Sequence, residues 1–267
     1  MILALVVLVK SLKNVVENNM KKFNLFVGLI LLVSLTSCWK GDTMQKQNKT
    51  IFSFFGAPGS GKGTLAEQVV DQLDYLTLST GDLLRENIAK GTEIGKKVKD
   101  YLDKGKLVPD QLITDMVKDW LISKKDSNKN IILDGFPRTK EQAESLLKII
   151  KTDLPEHNLR IIALDMPEKE IVSRLSGRRV CPNKECKAVY NIAMPGIEDG
   201  GKCPKCGTRI VTREDDKPEV IKDRFTVYKK HETDLIDFYK SAGQKIETIN
   251  ISELNKEKVF DKFKAIA

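Results

Sequence analysis

Ile51-Phe-Ser-Phe-Phe-Gly-Ala-Pro-Gly-Ser-Gly-Lys-Gly-Thr64 is the stretch on which the reading of this chain turns. A run of strand-forming residues stops at a glycine loop, Lys62 follows, and then a helical pattern begins. Leu65, Val69 and Leu73 share one face of that helix, with Ala66 and Val70 beside them. Strand, loop and helix in this order are the context of a phosphate-binding P-loop. Gly56, Gly59 and Gly61 let backbone N–H groups converge on an anion through positive φ values and close approach. The helix that follows offers its first N–H groups and its positive dipole end to the same phosphates. Lys62 adds a full charge. The bland alternative, a glycine turn with an incidental lysine, has no reason to sit between a strand and a helix. One departure stands out: the Ser/Thr expected after the lysine is Gly63, with Thr64 next.

Downstream, Tyr75-Leu-Thr-Leu-Ser-Thr-Gly-Asp-Leu-Leu-Arg85 reads as a short strand running into Ser79/Thr80, which cap a helix beginning near Gly81. Asp82 falls in its first turn and Arg85 about one turn later; on these residues alone a capped helix with a surface arginine is the simpler reading. Helices are predicted over 94–104 and 110–124, the second opened by Pro109, with Lys106, Leu107 and Val108 in the connector. Asn130-Ile-Ile-Leu-Asp134 is a buried-strand pattern ending in a carboxylate, followed by Gly135-Phe-Pro-Arg138. Beside a P-loop strand, such an Asp holds Mg²⁺ through water. Thr139 caps the next helix, with Gln142 in its first turn. Further elements are a strand at 159–165, a helix from Pro167 to Ser176, a long helix over about 215–242, a strand at 245–249 and a closing helix around Val259, Phe260 and Phe263. Strands alternating with helices predict an α/β fold with a parallel sheet covered on both faces. His157 and His231 read as ordinary surface residues.

Cys181-Pro-Asn-Lys-Glu-Cys186 and Cys203-Pro-Lys-Cys206 form two short knuckles at metal-ligand spacing. Four thiolates and no nearby histidine leave no open position, so the zinc they predict is structural, supporting a small inserted unit without a core of its own. Disulfides, or redox chemistry through Cys-Pro-Lys-Cys, are the alternatives.

With 267 residues, 31% charged, and a formal charge of +8, the chain is long enough for one large domain with inserted pieces. The charge suits anionic ligands but does not demand nucleic acid. Residues 1–49 read as an N-terminal extension. Within it, Met20-Lys-Lys, an apolar run from Phe23 to Leu35 and Thr36-Ser-Cys38 (residues 20–38) look like an export signal and resemble a bacterial lipobox, with Cys38 lipidated and membrane-anchored. Translation from Met44 is the competing reading. Zinc thiolates and a nucleotide substrate favour a reducing cytoplasm, which is the expected location.

Taken together, the stretch from about Ile51 to the C-terminus resembles adenylate kinase of the long-lid, zinc-bearing bacterial type. The resemblance implies a P-loop NTPase-type five-stranded parallel sheet (core 50–267) with an inserted monophosphate-binding segment (79–108) and a zinc-bearing lid (177–215). It implies transfer of the terminal phosphoryl group from ATP to AMP giving two ADP, with Mg²⁺ accompanying ATP and a structural Zn²⁺ at Cys181, Cys186, Cys203 and Cys206. Within the family, Gly63 is the expected residue. On the ATP side the resemblance assigns Gly59, Ser60, Gly61, Lys62, Gly63, Thr64, Arg174, Arg178, Val189, Tyr190 and Leu254. On the AMP side it assigns Thr80, Arg85, Lys106, Leu107, Val108, Gly135, Phe136, Pro137, Arg138, Gln142, Arg213 and Arg224, reversing the bland reading of Thr80 and Arg85. Lys62, Arg138, Arg178, Arg213 and Arg224 are the expected catalytic cations, and Asp134, with Asp82 as a second candidate, the expected holder of Mg²⁺ through water. Phosphoryl transfer needs charge neutralisation and alignment more than an acid–base pair, so no catalytic histidine is required.

A monomer is expected. The nearest alternative is a kinase for another nucleoside monophosphate; Thr80 and Gln142 favour adenine. From another class, a zinc-ribbon nucleic-acid-binding ATPase would use Lys184, Lys187, Lys202, Lys205 and Arg209, but it leaves the Ser79–Asp82 and Gly135–Arg138 segments without a role, and no nucleic-acid partner is expected. A lipid-anchored protein working on external nucleotides is a third reading.

Overall fold

A computed structural model describes residues 49–104, 106–252 and 255–267; the readings that concern Met20, Cys38, Met44 and Leu254 lie outside them. The main sheet is five-stranded and parallel in the order β2-β3-β1-β4-β7, with β1 Lys49–Phe55, β2 Leu76–Ser79, β3 Ile131–Asp134, β4 His157–Asp165 and β7 Ile246–Asn250. Strands β5 Arg178–Val180 and β6 Val189–Asn191 pair antiparallel in a separate hairpin. Eight helices accompany them among the described residues: α1 Lys62–Leu73, α2 Thr80–Ala89, α3 Glu93–Asp103, α4 Asp110–Lys124, α5 Lys140–Asp153, α6 Glu168–Ser176, α7 Pro218–Ser241 and α8 Lys256–Ile266. None is long and apolar enough to cross a membrane.

The central strand explains the layering. Ile51 to Phe55 are all buried because helices cover both faces, which is why the stretch reads as a continuous apolar run rather than an alternation. Phe52 and Phe54 pack against Phe263 of α8, with ring centroids 5.2 and 5.6 Å away, alongside Leu65 and Val69 of α1. Ile51 faces the opposite layer with Leu133, Val117, Leu121 and Leu146. Burial of one such side chain contributes about 1.5–3 kcal/mol, so these two layers dominate the fold.

The chain passes from β1 outward to β2, back to β3, and then across to β4. This reversal beside β1 makes a crevice at the C-terminal strand ends, where α/β sheets bind ligands. Asp134 in β3 is in register with Phe54 and with Ser79, so the segments that follow all three strands meet there.

Two expectations need correction. The long helix starts at Pro218, not near 215: proline favours the first helical position, and a short 3₁₀ turn, Glu214–Asp216, precedes it. His157 is buried rather than on the surface, because it opens β4 opposite Lys49.

Candidate active site

The P-loop takes the predicted shape. Gly56, Gly59 and Gly61 have φ values of 142°, 85° and 83°. A Cβ on Gly56 would lie 2.5 Å from the Leu164 carbonyl oxygen of the neighbouring strand, so no other residue fits there. Gly61 caps α1 in a left-handed conformation without a side-chain hydrogen bond. The first turn of α1 lines the cleft with no side chain capping its N–H groups, which leaves them available to an anion. Lys62 Nζ donates to the Gly56 and Ala57 carbonyls at 2.7 and 2.8 Å and to Ser60 Oγ at 3.3 Å. Burial pushes this ammonium from its ordinary 10.5 down to about 8, against the upward pull of Asp134. Gly63 has a local reason: a Cβ there would come within 3.3 Å of Asp134 Oδ2. The Asp134 carboxyl is itself pushed up by burial and drawn back by Lys62 and Arg138.

Around this loop lies a cleft of about 1210 Å³, lined by Lys62, Arg85, Arg138, Arg174, Arg178, Arg213 and Arg224 among others. Two of them, Arg178 and Arg224, are held by carboxylates that the sequence reading left without a role. Asp216, whose side chain is fully buried, receives Arg178 Nε at 2.7 Å and Nη2 at 2.5 Å, and Arg224 Nη1 at 3.2 Å. Arg224 also donates to the Asp215 carbonyl at 2.8 Å and lies 3.0 Å from its carboxylate. Burial raises the Asp215 carboxyl, but Arg224, Arg85, Arg178 and Arg213 outweigh it and leave it below the usual range. Arg138 and Arg213 are each pushed down to about 10 by burial first and by neighbouring arginines second. Cations depressed by burial and by one another are stabilised by a polyanion between them.

A smaller cavity of about 40 Å³ adjoins the cleft, lined by Thr80, Lys106, Leu107, Val108, Gly135, Arg138 and Gln142 among others. Ser79 caps α2, accepting from Asp82 N at 3.3 Å, which sets Thr80 Oγ1 to donate to the Gly135 carbonyl at 3.0 Å. Asp82 pairs with Arg85 at 2.5 Å. Arg138 Nε reaches the Gly135 carbonyl at 2.8 Å. Gln142 is buried with its amide already oriented: Oε1 accepts from Arg138 N at 2.8 Å and Nε2 donates to Asp110 Oδ1 at 2.7 Å. One Nε2 hydrogen and one Oε1 lone pair remain for a ligand. Asp110 and Ser53, whose Oγ donates to the Phe136 carbonyl at 3.1 Å, support this loop and were missed in the sequence. A polar residue inside the apolar run of β1 was the signal for Ser53.

Of the residues expected at the site, Gly59 to Thr64, Arg174, Arg178, Val189, Tyr190, Arg213, Arg224, Arg85 and Pro137 line the large cleft only, Thr80, Val108 and Gln142 line the small cavity only, and Lys106, Leu107, Gly135 and Arg138 line both. Phe136 is fully buried in the core and lines neither.

In the hairpin segment, the four cysteine sulfurs lie within 4.8 Å of one another, with Cys181–Cys206 and Cys186–Cys203 separations of 3.4 and 3.6 Å. These are too long for disulfides, which need about 2.05 Å between sulfurs. They approach the edge of roughly 3.8 Å that a tetrahedron with Zn–S bonds of about 2.3 Å requires. The donor set therefore fits zinc.

A parallel sheet with a glycine loop and lysine at its switch point, facing a cleft lined by arginines, defines a P-loop protein that handles nucleotide phosphates. A family model described as adenylate kinase matches residues 54–244. Adenylate kinase of Archaeoglobus fulgidus is 45% identical over 190 residues, covering 71% of this chain and 86% of that protein. Adenylate kinase of Petrotoga mobilis is 41% identical over 208 residues, 76% and 93% of the two chains, and that of Methanothrix thermoacetophila 42% identical over 214 residues, 79% and 95%. The chain belongs to the adenylate kinase family.

Proposed function

We propose that this protein reversibly transfers the terminal phosphoryl group of ATP to AMP, giving two ADP. The observation that carries the reading is the shared wall of the two cavities: Gly81, Leu102, Lys106, Leu107, Gly135 and Arg138 line both. A donor phosphate on the P-loop and an acceptor in the small cavity would meet beside Arg138.

On this reading Gly59 to Thr64 bind the ATP phosphates through backbone N–H groups and Lys62, while Arg174, Val189 and Tyr190 hold the rest of ATP. Thr80, Lys106, Leu107, Val108, Gly135, Pro137 and Gln142 bind AMP, and Arg85 and Arg138 hold its phosphate. Arg178, Arg213 and Arg224 neutralise the charge that spreads over the transferred group, which is most of what this reaction asks of a protein. Asp216 and Asp215 fix two of those arginines in place. Segments 79–108 and 177–215 act as the covers that exclude water as a competing acceptor. Mg²⁺ bound with ATP would neutralise phosphate oxygens, and Asp134, with Asp82 as a second candidate, would hold its waters; Zn²⁺ on Cys181, Cys186, Cys203 and Cys206 would fold the lid.

Initial rates with AMP, CMP, UMP and GMP as acceptors test the reading. AMP is expected to be preferred by at least an order of magnitude, the scale on which a site built to pair a polar edge rejects a mismatched one. Equal or better rates with another monophosphate would move the assignment to that acceptor.

A further inference from the structure

Strand β6 lies in sequence between the two cysteine knuckles and pairs antiparallel with β5. Its middle residue, Tyr190, is in register with Arg179 of β5 and lines the large cleft. The hydroxyl of the same side chain lies 3.2 Å from the sulfur of Cys203. The next residue, Asn191, donates through Nδ2 to the Arg174 carbonyl at 3.1 Å, so the strand is tied to the cysteine cluster through one residue and to helix α6 through the next.

The donors around the four sulfurs are not equivalent. Backbone N–H groups of Asn183, Ala188, Lys205, Cys206 and Thr208 serve the cluster from within its own turns. Thr208 Oγ1 lies 3.4 Å from the Cys206 sulfur, and Thr208 does not line the cleft. Tyr190 is the side chain that both reaches a sulfur and lines the cleft. A thiolate that coordinates zinc accepts hydrogen bonds, so the hydroxyl donates to Cys203 when the metal is bound.

We infer that Tyr190 couples the lid's metal site to the nucleotide cleft: it orients the Cys203 thiolate with its hydroxyl while forming part of the wall against which nucleotide docks. The inference rests on the zinc and ATP assignments proposed above. Two sites that share a side chain bias one another equally, so nucleotide that restrains Tyr190 slows metal loss, and metal that restrains Tyr190 favours nucleotide. Tyr190 is here a positioning residue for the metal.

The test follows zinc transfer from the intact protein to a chromogenic chelator, with and without saturating Mg·ATP, in wild type, Tyr190→Phe and Thr208→Val. Tyr190→Phe keeps the ring and removes only the hydroxyl. Without nucleotide it is expected to lose zinc roughly tenfold faster than wild type, the low end of what loss of a ligand's hydrogen-bond partner does to metal affinity. Mg·ATP is expected to slow zinc loss several-fold in wild type and in Thr208→Val, which weakens the cluster away from the cleft, but not in Tyr190→Phe. Zinc loss from Tyr190→Phe at the wild-type rate, or slowed by Mg·ATP as much as in wild type, would overturn the coupling. Metal analysis of the wild type separates the underlying reading: a protein that takes up no zinc overturns the zinc assignment and the coupling with it.

Discussion

The sheet and the hairpin segment are held together by different means. Around β1, two continuous apolar layers place Phe52, Phe54, Val69, Leu133, Leu146 and Phe263 out of contact with solvent. In the hairpin segment the buried cluster is Cys181, Ala188, Ile197, Cys203 and Ile210, two of them candidate metal ligands. Its apolar side chains are too few to offset the entropy of ordering some thirty residues, on the order of 1–2 kcal/mol of backbone entropy each. Val189, Ile192, Met194 and Val211 stay exposed there. The hairpin segment has little core and a cysteine cluster that fits a metal, whereas the sheet that carries the glycine loop has a large core.

Removing zinc should produce the largest change and confine it to one side of this contrast. With a strong chelator, the segment between Cys181 and Ile210 should become open to proteolysis while far-ultraviolet circular dichroism of the sheet and its helices is largely retained. Unchanged cleavage, melting and activity after full demetallation would mean that the segment folds without metal. Next in size, Phe263→Ala should cost about 3–5 kcal/mol in urea unfolding, because it leaves a cavity against Phe52 and Phe54. The same variant should bind zinc normally, and a parallel loss of zinc affinity would erase the division between the two regions.

Lys62→Ala should leave melting nearly unchanged and lower kcat by roughly 10²–10³, or about 2.7–4 kcal/mol, the scale for one preorganised donor to developing charge. Near-normal ADP formation by that variant would show the glycine loop to be misread. The smallest effect is a pH dependence with opposite signs in activity and stability. Because the Lys62 ammonium is held at about 8 in the folded protein against an ordinary 10.5, kcat/KM for ATP should fall as pH rises through about 8. Between the two values the unfolded chain binds more protons at this lysine than the folded one, so its contribution to stability rises with pH over that window. Activity that holds steady to pH 10 would indicate that Lys62 keeps its proton in the free enzyme.

The P-loop was legible because everything it needs is contiguous: an apolar strand, three glycines, a lysine and a helical pattern within Ile51–Leu73. The AMP side was not legible from local residues. Thr80 and Arg85 follow a helix cap and read as such until the register of Ser79 with Asp134 brings the β2 and β3 loops together and puts Thr80 on the Gly135 carbonyl. The carboxylates at Asp215 and Asp216 looked like the polar start of a helix, whereas Pro218 delays the helix and leaves both free to turn inward toward Arg178 and Arg224. His157 misled in the other direction: flanked by Glu156 and Asn158 it looks solvated, but pairing with β1 buries it, and burial depresses its imidazole.

On the proposed function, one cleft holds two nucleotides and passes a phosphoryl group between them without admitting water. Product stoichiometry tests this most directly, with ATP, AMP, ADP and inorganic phosphate followed together in one reaction. The expected result is two ADP formed for each ATP and AMP consumed, with negligible phosphate release. ATP consumed with phosphate released and AMP left intact would contradict it.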